Sequence, residues 1–405
     1  PQGKEVDCID GDFVLANDQI LAIVGNPRRG RNANMTVREV GGCIIDLTRR
    51  DRQSDQLSAY YPGAQLRDLK FAGIEVQGPE VYEAAELDRV FVRAKRVTLK
   101  LVASPREKRP DVEVAYSLGN GDPFIEVTTT YSNRGTSAID AELLDSIRAD
   151  NTFDKSPNDP ADLFWAYDKH FGQAYGIVAE GHKIRGMNAR AHQLRFQNGE
   201  GKVSVQLAPG ESYRLTRRII PAANLFDVRK VADRLAGKTP RDLRILVKDG
   251  RGKAIEGADV VLEHDGKPQL WGRTDEKGRI HASSEGQGTL TVSALGHGSK
   301  AVSIDANTPE SLDVELAEAG AVVAHVTDEK GGDIPCKVQF LGKNGTADPD
   351  FGPTTGEHAV KNVYYSQNGK FRRVLDPGTY DVIVSFGIEH DAVFTEVTVE
   401  RGKET

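Results

Sequence analysis

The stretch Asp111–Asn133, DVEVAYSLGNGDPFIEVTTTYSN, sets the architecture. Val112, Val114 and Tyr116 alternate with polar residues before Asn120-Gly121, and Ile125, Val127, Thr129 and Tyr131 alternate after it. β-Branched and aromatic residues at every second place, joined by Asn-Gly, specify an antiparallel hairpin with one buried face. The same grammar recurs upstream in DFVLANDQILAIVGN (12–26), where the runs Phe13–Ala16 and Ile20–Val24 flank Asn17-Asp18 as a tight turn. Period-2 alternation dominates the whole chain, and its 41 glycines among 405 residues fit a turn-rich, all-β protein.

One segment breaks the pattern. NLFDVRKVADRLAG (224–237) offers Asn224 as N-cap, an apolar face of Leu225, Val228, Ala232 and Leu235, and Gly237 just past the end, which predicts a helix. The polar KTPRD that follows, with Pro240, marks a domain boundary, so residues 1–240 read as one large β unit. Beyond it lies an internal repeat. LRILVKDGRGKAIEGADVVLEHDG (243–266) lines up with AVVAHVTDEKGGDIPCKVQFLGKNG (321–345), each reading strand, Asp-x-x-Gly turn, small-residue crossing, strand. Further on, Ser293 matches Ser385 and Gly296 matches Gly387. The expected domains are 1–240, 241–317 and 318–405, the last with an insertion at about 346–366.

Lys and Arg number 53 against 60 Asp and Glu, a net charge of −7 with no long basic run, which argues against a nucleic-acid partner. No apolar stretch approaches the roughly 20 residues needed to span a bilayer. The three cysteines, Cys8, Cys43 and Cys336, form no Cys-x-x-Cys and read as buried small apolar residues, with a Cys8–Cys43 bridge left open. The nine histidines come no closer than ten residues apart, so His-x-His and His-Glu-x-x-His are absent; neither a Walker-type loop nor Gly-x-Ser-x-Gly occurs. The sequence therefore offers no local catalytic motif, no metal ligand set and no cofactor site.

Four polar stretches remain. Glu389-His390-Asp391 sits between two alternating strands, and adjacent strand residues point to opposite faces, so it reads as a solvated hairpin tip. In the insertion, Asp348, Asp350, Glu357 and His358 leave room for a Ca²⁺ or partner site, with a surface loop as the plainer reading. Arg28, Arg29 and Arg31 between three asparagines suit an anion or a solvated loop. The most distinctive stretch, 145–176, mixes aromatics with carboxylates, Arg148, Asn151 and His170. Aromatic faces beside planar polar groups suit sugar rings, so Arg148, Asn151, Trp165, Tyr167, Asp168 and His170 are the candidate ligand-binding residues. The alternative is a crossing segment whose aromatics fill the core.

The motifs V-x-D-x-x-G-x-x-I-x-G-A-x-V (247–260), GRTDEKGRI (272–280) and GTLTVSALG (288–296) resemble the carboxypeptidase regulatory-like family of small immunoglobulin-like sandwiches, over about a fifth of the chain. Ile334-Pro335-Cys336 departs from that pattern in the second copy. Residues 1–240 look like the β-supersandwich of galactose-mutarotase-like domains, through YSLGNGDPFIEVTTTYSNRG and LAPGESYRLTRRIIP (207–221), without an identifiable catalytic histidine pair. The order of parts resembles the N-terminal region of exported bacterial metallohydrolases of the polymerase-and-histidinol-phosphatase (PHP) type. That resemblance implies an all-β, non-catalytic region, outside the cytoplasm, that positions substrate or anchors the enzyme at the cell surface. The catalytic domain would follow Thr405. A free-standing carbohydrate-binding module working through Trp165 and Tyr167 is the alternative. Less favoured are a mutarotase- or lyase-like enzyme using His170 with Asp168 or Arg148, and a purely structural surface protein.

Overall fold

The computed structural model describes residues 2, 3, 5–52, 54–64, 69–78, 92–103, 108–149, 153–157, 159–187, 193–284, 286–352 and 359–405. The protein is built almost wholly of strands, with a single α-helix among the described residues. It divides into two compact units, Pro1–Thr239 and Pro240–Thr405.

In the first unit a seven-stranded sheet runs Phe13–Ala16, Ile20–Val24, Ile44–Arg49, Leu57–Pro62, Leu144–Ala149, Gln193–Gln197, Lys183–Met187. It faces an eight-stranded sheet ordered Asp154–Lys155, Leu163–Asp168, Gln173–Ala179, Ser212–Ala222, Ile125–Ser132, Asp111–Gly119, Arg96–Ala103, Leu69–Gln77. The 111–133 hairpin lies near the middle of the second sheet. Val114, Tyr116, Ile125 and Val127 are fully buried between the sheets, as the alternation requires. Asn17 ties the two sheets at one end: its side-chain amide donates to the carbonyls of Gly119 (2.8 Å) and Asp122 (2.9 Å).

The core between these sheets contains an ion pair. Arg217, from Ser212–Ala222, and Asp145, from Leu144–Ala149, are both wholly buried. Arg217 Nε donates to Asp145 Oδ2 at 2.8 Å and Nη2 to Oδ1 at 3.1 Å; Nη1 donates to the carbonyls of Leu215 (2.6 Å) and Val127 (3.1 Å). The Tyr60 hydroxyl also donates to Asp145, and the Gly63 N–H donates to Oδ1 at 2.7 Å. The Arg217 guanidinium lies 5.8 Å from the Phe196 ring centre.

The helix is Leu225–Leu235, capped as read: the Asp227 N–H donates to Asn224 Oδ1 at 2.9 Å. Leu225, Phe226 and Val228 pack on the outer face of the eight-stranded sheet. Gly176 makes that approach feasible, since a Cβ there would stand 2.4 Å from Val228 Cγ1.

In the second unit the repeat gives two sandwiches of one topology. The first pairs Arg241–Asp249 with Arg279–Ser284 (antiparallel) and Ser311–Leu316 (parallel), against Lys267–Arg273, Asp259–His264, Gly288–Ala294 and Gly298–Ile304. The second pairs Gly320–His325 with Lys370–Leu375, against Ala359–Val360, Val363–Ser366, Cys336–Lys343, Gly378–Ser385 and Val393–Val399. Equivalent aspartates make equivalent turns. Asp249 Oδ1 accepts from the N–H groups of Arg251 and Lys253, and Asp328 Oδ1 from those of Lys330 and Gly332.

Replacing Arg217 with Met should leave the Asp145 charge buried and uncompensated, costing about 3–5 kcal/mol. The Arg217→Met/Asp145→Leu double variant should cost clearly less than the single one by chemical denaturation. Equal losses would mean that packing, not the stranded charge, sets the penalty.

Candidate ligand cleft

The residues singled out at 145–176 are not gathered into one pocket. Trp165 pairs with Gly176 and Tyr167 with Ala174, which puts both on the outer, helix-bearing face of the eight-stranded sheet. Asp168 has the opposite parity and is buried; its Oδ1 accepts from the backbone N–H groups of His170 (2.9 Å) and Phe171 (3.0 Å), forming the turn. The His170 ring stands edge-on to Phe171, with centroids 4.9 Å apart. Arg148 lies on the other sheet, on its outer face, 5.9 Å over the Tyr61 ring, with Nη1 donating to Thr36 O at 3.2 Å. Asn151 lies outside the described residues, as do Glu357 and His358.

The other polar stretches are absorbed locally. Asp348 accepts from the Gly342 N–H at 2.7 Å and Asp350 from the Gly352 N–H at 3.0 Å, so both carboxylates hold their own turns. In 25–47 Arg28 and Arg29 are exposed, as a solvated loop requires, while Arg31 departs from that reading: it is buried, with Nη2 2.6 Å and Nε 3.1 Å from the Asp12 carboxylate. Glu389-His390-Asp391 is an exposed turn. Its counterpart in the first copy is not solvated. Gly296 is buried at φ +81°, where a Cβ would meet Val374 Cγ1 at 2.3 Å, and its N–H donates to Asp376 Oδ1 at 2.8 Å. Cys8, Cys43 and Cys336 are free thiols, and Cys8 and Cys43 share one small apolar cluster. Among the described residues no three His, Cys, Asp or Glu side chains are grouped so as to hold a metal.

A cleft of about 700 Å³ does open on the helix side of the first unit. It begins from a row across four strands, with Leu163 opposite Val178, Val178 opposite Arg218, and Arg218 opposite Glu126. Leu163 and Val178, with Ala232 and Leu235 from the helix, give an aliphatic floor; Asp162, Glu180, His182, Asn198, Arg218 and Arg229 give a polar rim. The rim groups are held in place. Arg218 Nε donates to Glu126 Oε2 at 3.1 Å, and Nη2 lies 3.9 Å from Glu180 Oε2. His182 Nδ1 faces the Glu180 carbonyl at 2.5 Å, which can only accept, so Nδ1 carries the proton and Nε2 accepts from the Tyr213 hydroxyl at 2.7 Å. Burial raises the Tyr213 phenol pKa, keeping it a donor. Asp233, buried near the end of the helix where a negative charge is disfavoured, has Arg229 at 3.6 Å and Lys238 at 3.8 Å. An apolar floor under fixed planar polar groups can seat a small polyhydroxylated ligand. Among the described residues none of the candidate ligand-binding set lines this cleft, whose walls come from segments that meet only in the fold.

A second cluster also escaped the sequence. Asp46 and Asp55 are wholly buried, with Asp7 beside them, and one oxygen of each, Oδ2, has no hydrogen-bond partner among the described residues. Asp46 Oδ1 accepts from the Asp7 N–H at 2.8 Å; Asp55 Oδ1 accepts from the Leu47 N–H (2.9 Å) and the Tyr175 hydroxyl (3.1 Å). Burial pushes the Asp46 carboxyl up to about 6, and burial with the Asp46 charge raises Asp55 well above the ordinary range. A carboxyl whose pKa is raised by folding stabilises the fold fully only below its unfolded value, and that stabilisation fades as pH rises through its folded value. Between about pH 4 and pH 6 Asp46 should thus withdraw stability progressively as it ionises in its buried place. Asp46→Asn should gain stability relative to the parent protein across that window, read as the difference in denaturation midpoints at each pH. A difference that stays constant with pH would contradict the assignment.

No known protein family matches the sequence, and no curated protein does. Among solved structures, a TPR-domain-containing protein from Parabacteroides distasonis is 17% identical, with a TM-score of 0.35 over 54% of this chain and 48% of its own. A polysaccharide lyase is 12% identical at a TM-score of 0.33, over 74% of this chain and 47% of its own. A galactose mutarotase-like protein from Lactobacillus casei is 11% identical at 0.27, over 52% of this chain and all of its own. The chain spans about half the length of the first of these or less, and such loose superpositions fix neither relationship nor ligand.

Proposed function

We propose that this chain is a non-catalytic, saccharide-binding β region that holds or presents substrate through the cleft beside the helix. The observation that carries it is the pairing of an aliphatic floor with the rim formed by Arg218, Glu180 and His182, at a volume suited to one or two sugar rings. The further reading rests on the motif resemblances: the chain serves a longer, exported PHP-type metallohydrolase, whose catalytic domain follows Thr405 and supplies the metal chemistry. The intact mass of the native protein tests that part separately.

Binding is tested by calorimetry of the full chain against neutral and uronate oligosaccharides. At least one class should bind, and Arg218→Ala should weaken it by about tenfold or more, the usual cost of losing a charge-assisted hydrogen bond. Loss on Trp165→Ala with Arg218→Ala unaffected would move the site to the outer aromatic residues. Absence of binding across the panel would overturn the proposal.

A further inference from the structure

The repeat provides an internal standard for the second sandwich. In the first, Arg241–Asp249 is the middle strand, flanked by Arg279–Ser284 and, in parallel, by Ser311–Leu316. In the second, Gly320–His325 takes the same place. Lys370 pairs with His325 as Arg279 pairs with Leu246. On its other side lie Lys403–Thr405, also parallel. The Val323 N–H donates to the Thr405 carbonyl at 2.8 Å, as the Arg244 N–H donates to that of Glu310 at 2.7 Å. Thr405 is thus the counterpart of Glu310, the residue that leads directly into Ser311–Leu316.

Beyond that bond the edge of Gly320–His325 has no strand partner among the described residues. Strand alternation turns the Val323 carbonyl and the His325 N–H toward it. Val323 is 48% exposed there, beside a groove of about 620 Å³ lined by His325, Lys370, Phe371 and Arg372. We propose that this edge is a strand-accepting site, filled by an extended segment that enters in line with Lys403–Thr405 and runs parallel to Gly320–His325. The first sandwich gives its chemistry. Val314 and Leu316 turn inward and are buried, while Asp313 turns outward to Lys248 at 2.8 Å. At the groove of the second sandwich the charged groups are paired within the chain: His325 and Lys370 hold Asp333 at 2.5 and 2.7 Å, and Arg372 holds Glu404 at 2.7 Å. The segment therefore carries apolar residues at alternate places, turned inward as Val314 and Leu316 are, with polar residues between them.

The test appends Ser-Leu-Asp-Val-Glu-Leu, the sequence of the 311–316 strand, after Thr405 of the full chain. Hydrogen exchange at the His325 amide should slow by about tenfold or more, since a paired strand amide exchanges only on opening. The melting temperature should rise with it. The same residues moved by one place, Leu-Ser-Val-Asp-Leu-Glu, present the wrong face and should give neither effect. Equal protection from both extensions, or from neither, would overturn the proposal. So would equal protection by the free hexapeptide at stoichiometric concentration, which would remove the requirement for in-line entry.

Discussion

The first unit depends on one buried contact, the Arg217–Asp145 pair. An ion pair with no solvent exposure gains stability only if every polar atom is matched, because desolvating two charges costs as much as their attraction returns. Here Asp145 takes Arg217, Tyr60 and the Gly63 N–H, while the third guanidinium nitrogen takes two carbonyls of its own sheet. The consequence is registration. Arg217 belongs to one sheet and Asp145 to the other, so sliding either by one residue would strand a charge in an apolar core. The surrounding Leu, Ile and Val side chains, which would tolerate a small slip, are thereby held to one arrangement.

That registration places the ligand cleft. Arg217 points inward, so its neighbour Arg218 must point outward, onto the row Leu163, Val178, Arg218, Glu126. The helix, laid down where Gly176 leaves space, walls that row on one side. Two adjacent arginines thus serve two ends through the pleat alone, one locking the sheets and the other offered to a ligand.

What was legible in the sequence is what local physics decides. The 111–133 hairpin announces itself by alternation, the helix by Asn224, and the repeat by its Asp-x-x-Gly turns, because each needs only residues within a few positions of one another. The site was not legible for the same reason. The 145–176 stretch is contiguous in sequence, yet it crosses from one sheet to the other, which sends Arg148 to one outer face and Trp165 to the opposite one. Arg31 looked solvated because its partner, Asp12, lies 19 residues away. Asp46 and Asp55 gave no signal because a carboxylate near a strand reads as a solvent-facing place until the chain above it is known.

The repeat also shows how one local pattern acquires two roles. In the first copy the tip residue Gly296 satisfies its N–H with the Asp376 carboxylate of the following sandwich, and its glycine is required because Val374 leaves no space for a Cβ. In the second copy the Ile388 N–H is met at 3.1 Å by Glu389, within the same turn. A backbone donor at a tight turn must find an acceptor in either case. Where a neighbouring module supplies it, the tip becomes a joint; where the turn supplies its own, the tip stays in water, with Ile388 almost wholly exposed. Glu389, the first residue of Glu389-His390-Asp391, thus serves the backbone of its own turn. It meets the N–H one residue past Gly387, whereas Asp376 meets that of Gly296 itself, so the two copies satisfy their tips at adjacent positions.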